Sequence, residues 1–77
     1  MDKPEEVFQA GAVQASIFVN VRKVEGKEVK IPSISFQKRY LDGTEWKTTS
    51  VLNVDDLPKA ILVLTQAYGY SMEAHDL

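Results

Sequence analysis

Cysteine is absent from this 77-residue sequence, which excludes disulfide staples, iron–sulfur clusters and thiolate zinc sites. Histidine occurs once, at His75 near the chain end, so a histidine-dependent triad or metal site lacks the residues it needs. The four glycines stand apart from one another, and no phosphate-cradling glycine loop can be built from them. No apolar run approaches the ~20 residues of a membrane span, and the opening MDKPEEVF reads as too acidic for a secretory leader. Asp55 and Asp56 are neighbouring carboxylates, but neighbours on a helix start do not face one another and serve as caps. The expectation is a cytoplasmic non-enzyme with no cofactor and no metal.

What is present is ordinary in bulk and uneven in detail. A content of 44% hydrophobic and 26% charged residues belongs to a globular domain. The length allows one domain, residues 1–77, whose ordered core is read as 7–70 and whose tail 71–77 is expected to fray. A domain this small buries a modest core, and oligomerisation is the usual compensation where metal and disulfides are missing. The net charge of −2 divides into −2 over residues 1–14, +3 over 15–52 and −3 over 53–77. A basic middle between acidic ends is the pattern of a surface that meets a polyanion.

Period-two alternation runs through the first two-thirds. Val13, Ala15, Ile17, Val19 and Val21 alternate with Gln14, Ser16, Phe18 and Asn20, the signature of a half-buried strand. Gly11 marks a bulge or kink in a strand that begins near Val7. A second strand is predicted over Val29–Tyr40, with Pro32 at an edge or irregular position, and a third over Trp46–Leu52. A two-residue Glu25–Gly26 turn pairs Ile17 with Ile34 and Ala15 with Phe36. For the second hairpin, a Leu41–Asp42–Gly43 loop pairs Arg39 with Glu45 and Lys38 with Trp46, avoiding the Lys38–Lys47 repulsion of an Asp42–Gly43 turn.

The final third changes period. Leu57, Ala60, Ile61, Leu64 and Tyr68 recur at helical spacing after an aspartate N-cap, with Pro58 in the first turn. The predicted fold is α+β: an antiparallel β-meander of three to four strands followed by one C-terminal α-helix packed on one sheet face. With Ile61 and Leu64 turned to the sheet, Leu62 and Val63 point outward and are the expected surface of a homodimer.

The register places Trp46 under the helix and leaves an uncovered face that carries the functional reading. Phe18 stands on it as a ring on which bases stack, with Asn20 and Gln37 as polar readers and Arg22, Arg39 and Lys47 as phosphate contacts. The expected function is a non-enzymatic single-stranded nucleic-acid-binding module, with a regulatory role among the expectations. The competing expectation is a protein-interaction or structural homodimer whose outer face contacts another protein.

The runs Ala15-Ser16-Ile17-Phe18-Val19-Asn20, Ser33 through Tyr40, Glu45-Trp46-Lys47 and Asp56 through Ala60 resemble a group of small uncharacterised prokaryotic and phage-associated proteins. The likeness spans roughly residues 7–70 and includes an aromatic followed two residues later by asparagine, as Phe18 and Asn20 stand here. More distantly, a curved meander with one C-terminal helix resembles the fold of Whirly proteins and the transcriptional-coactivator single-stranded-DNA-binding domains. That resemblance implies dimers or higher assemblies that grip single strands on the sheet.

Overall fold

The computed structural model describes residues 3–75. Four strands form one antiparallel meander in chain order: β1 (Glu6–Ala10), β2 (Val13–Val24), β3 (Lys27–Asp42) and β4 (Glu45–Thr49). A 3-10 turn, Val54–Asp56, leads into the C-terminal helix α1 (Leu57–His75). This is the predicted α+β architecture in its four-strand form. Among the described residues no helix is long and apolar enough to cross a membrane.

Three two-residue turns fix the meander. Gly11 has φ +59 and begins a Gly11–Ala12 hairpin, so it separates β1 from β2 and does not kink one strand as expected. Glu25 and Gly26 both have positive φ, the I′ geometry whose twist matches the flanking strands. This turn sets the β2–β3 register as read from the sequence, with Ile17 opposite Ile34 and Ala15 opposite Phe36.

The third turn overturns the predicted register. It is Gly43–Thr44, with positive φ at Gly43 alone, as a II′ turn requires at its first central position. Tyr40 therefore faces Lys47 and Leu41 faces Trp46, in place of the expected Arg39–Glu45 and Lys38–Trp46 pairs. The slip is an odd number of residues, so every side chain of β4 changes face.

β1 pairs only with Val13–Ile17 of β2, and β4 only with Lys38–Asp42 of β3. The rest of the β2–β3 hairpin is a two-stranded arm, and the molecule measures 50 × 25 × 16 Å. Pro32 lies on this arm opposite Val19. Counting hydrogen-bonded pairs from the Glu25–Gly26 turn, its ring nitrogen faces away from β2 toward the free edge, where no ladder bond is lost.

The core is narrow. Val13, Ala15 and Ile17 from β2 meet Ala60, Val63 and Ala67 from α1, all buried, with Phe8, Phe36, Leu52 and Tyr70 closing around them. Alanines at the contact let the helix lie close, and it covers β1 and β2 far more than β3. Val63 is therefore wholly buried and cannot be the outward interface residue expected of it. Leu62 is exposed, but the buried positions are 60, 63, 67 and 71, which turns Leu62 toward the polar back of the helix beside Lys59 and Gln66. Ile61 is 65% exposed, so the sheet-facing role expected of it fails for the same reason.

The tail also departs from expectation. α1 continues through Gly69 to His75, and Ser71 is buried; Asp76 and Leu77, the rest of the tail expected to fray, lie outside the described residues.

Candidate nucleic-acid interface

The pairing assigns every strand residue to a face. Phe18, Asn20, Arg22, Gln37 and Arg39 share the side of the sheet away from α1, as predicted. Lys47 does not: with Tyr40 as its partner it lies on the helix side, where its Nζ donates to Asp42 Oδ2 at 2.8 Å. Trp46 takes the opposite course. The register places it on the open face, 62% exposed, with the Arg39 guanidinium 5.0 Å from its ring centre. Such a stack orients the cation while its N–H groups stay free for other acceptors.

The second aromatic of the open face, Trp46, is thus one the predicted register hides under the helix. The available signal was the Gly-Thr pair, which fits a II′ turn with glycine first, in a stretch where the charge pairing favours a Leu41–Asp42–Gly43 loop instead.

Between the two aromatics runs a polar floor. Gln9, Gln14 and Gln37 lie side by side across β1, β2 and β3, and Ser16 and Ser35 form the neighbouring row. Gln14 Nε2 donates to Ser16 Oγ at 3.3 Å, and Asn20 Nδ2 donates to Ser33 Oγ at 3.2 Å. Trp46 and Arg39, with Gln9, Gly11 and Ala12, line a shallow hollow of about 220 Å³ at one end. Phe18, half-buried, stands toward the other end. In β2 register Trp46 sits eight residues from Phe18, about 26 Å along the sheet at the usual strand rise.

Carboxylates are sorted by face. Among the strand residues, Glu6, Glu28, Asp42 and Glu45 all fall on the helix side together with Lys23, Lys30, Lys38 and Lys47, whereas the open face carries Arg22, Lys27 and Arg39 and no carboxylate. The net charge of −2 conceals this separation.

Compared with known proteins, the chain matches no family model, and no curated protein or solved structure matches it significantly. Its chemistry must be read from its own residues.

On the opposite side, ionic contacts tie the helix to the sheet. Glu5 accepts from the Tyr70 hydroxyl at 2.9 Å and lies 2.6 Å from His75 Nε2, joining the start of β1 to the end of α1. The bonds from His75 and then Tyr70 hold the Glu5 carboxyl below its usual 4.5, and the bond to Glu5 raises the Tyr70 phenol above its usual 10.0. A carboxyl whose folded value is depressed stabilises the fold fully above its unfolded value, and loses that contribution as pH falls through the folded value. Glu5→Gln is therefore expected to melt below the wild type at neutral pH. The gap should close as pH drops below 4.5, as followed by thermal melts across pH.

Proposed function

We propose that this protein is a non-enzymatic module that binds single-stranded nucleic acid along the open face of its sheet. The observation that carries this reading is the sorting of carboxylates: cations and two aromatic side chains share a face from which strand carboxylates are absent. Phosphates then follow Arg22 and Arg39, while bases stack on Trp46 and Phe18 and meet the amides of Gln37 and Asn20. A duplex, with its bases already stacked inside, gains nothing from the aromatic pair.

The test is titration with oligo-dT and with duplex DNA at two salt concentrations, read by the fluorescence of the single tryptophan, Trp46. The expected result is quenching by the single strand, with affinity falling steeply as salt rises. Phe18→Ala, and Trp46→Ala followed by the anisotropy of a labelled oligo-dT because it removes the fluorophore, should each cost about 1–3 kcal/mol with little change in salt slope. Arg39→Ala should weaken binding for all sequences and reduce the slope by about one, whereas Lys47→Ala, on the other face, should leave binding unchanged. Equal affinity for single strand and duplex, or no quenching at low salt, would reject the proposal and leave the open face as a protein-docking surface.

A further inference from the structure

The helix carries its small and large residues on the wrong sides for a monomer. Its buried face is Ala60, Val63, Ala67 and Ser71, while Leu57, Ile61, Leu64 and Tyr68 form an apolar ridge that is 40–65% exposed. The ridge recurs at spacings of four, three and four residues, the seam that one helix presents to another. It is turned about one quarter of the helix circumference from the buried face.

The ridge borders a part of the sheet that the helix leaves uncovered. Leu64 and Tyr68 form one wall of a cleft of about 330 Å³, Pro32 and Ile34 form the other, and Ile17 lies at its base. Ile34 and Tyr40, on the helix side of β3, are 49% and 39% exposed.

We infer that this ridge and cleft are the two halves of a homodimer interface, each chain's Ile61–Leu64–Tyr68 ridge seating in the cleft of a second copy. The assignment to a second copy rests on three observations. The chain supplies both the projecting and the receiving surface, as a two-fold contact requires. The exposed areas of Ile34, Tyr40, Ile61, Leu64, Tyr68 and Met72 amount to on the order of 600 Å² per protomer, where specific stable interfaces begin. The arm beside the cleft carries both signs on its helix side, Lys23 and Lys30 with Glu28, which suits like meeting like. The open face, cationic throughout, would repel its own copy.

The free edge of β3 offers no competing route, because Pro32 directs its ring there and blocks strand addition. The interface is independent of the nucleic-acid reading. It would leave both open faces outward.

Sedimentation of the full chain at micromolar concentration tests the inference. Wild type and Leu62→Asp are expected at twice the chain mass, and Ile61→Asp at the single mass. Tyr68→Ser, milder and at a 63% exposed position, should weaken dimerisation at least ~30-fold while circular dichroism stays that of the wild type. It decides the matter if Ile61→Asp does not fold. A wild type that remains a monomer across the range overturns the inference, and so does a dimer that neither substitution weakens.

Discussion

Val63→Asp is expected to leave the chain unfolded, while Leu62→Asp, one residue away, should melt like the wild type. Val63 has no exposure at all and belongs to one core cluster with Val13, Ala15 and Ile17 of β2. Moving a carboxylate into that contact costs several kcal/mol even when it takes up a proton. Total stability at 0.05–0.15 kcal/mol per residue is only roughly 4–12 kcal/mol for this length, and a small domain sits near the lower end. Val63→Ala is the graded version. Losing two buried methyl groups should remove about 2 kcal/mol, a fall in Tm of about 10 °C for a domain of this size. Leu62, 51% exposed on the polar back of the helix, has no such contact to lose. Far-UV circular dichroism and thermal melts of the three variants are the measurement. A folded Val63→Asp would return Val63 to the surface, where the helical spacing of Ile61 and Leu64 places it.

That contrast shows where sequence reasoning ended. Ile61-Leu62-Val63-Leu64 is apolar around more than one full turn, so the period fixes a helix without fixing which side is buried. The sheet chose by distance. Alanine at 60 and 67 permits close approach, and whichever large residue falls between them, Val63, fills the remaining space. The first hairpin was legible down to its residue pairs, because alternation and the Glu25–Gly26 turn agreed independently. In the second hairpin the local signals conflicted. Pairwise charge terms favour the three-residue loop, but these are small beside the backbone preference of a glycine at the first turn position. The correct register removes Lys47 from the face on which it is expected and brings Trp46 onto it.

The small-residue core has a further consequence for stability. Among the described residues, three of the six buried apolar side chains are alanines, which bring little apolar surface out of water. The large residues that would ordinarily supply that term, Ile61, Leu64, Tyr68, Trp46 and Ile34, stand at the surface on one side of the sheet or the other. A sheet whose two faces both hold back large side chains places much of its hydrophobic stabilisation in contacts with other molecules. Within the single chain, polar ties between helix and sheet carry correspondingly more of the structure.

Asp56→Ala is expected to lower the melting temperature far more than Lys47→Ala, although each removes one lysine–aspartate pair. The Lys47–Asp42 contact is open to water, with side-chain exposures of 46% and 60%, and such pairs contribute about 0–1 kcal/mol. The Lys38–Asp56 contact is 2.5 Å long, with exposures of 16% and 11%. Asp56 also accepts the backbone N–H of Asn53 at 2.9 Å, closing the turn that starts the helix. Removing the carboxylate therefore strands a half-buried ammonium on β3 and an orphan donor at the helix entrance in one step. Lys38→Met should be milder, since the Asp56 carboxylate keeps the Asn53 donor and the methionine stem keeps the packing. The Lys38 ammonium, and then the Asn53 N–H, hold the Asp56 carboxyl below its usual 3.8. Its contribution is accordingly complete above that value and disappears as pH falls through the folded one. Melts across pH should show the Asp56→Ala deficit at neutral pH and its disappearance in acid. A deficit that persists unchanged below the folded value would mean that packing, not charge, holds the helix to β3.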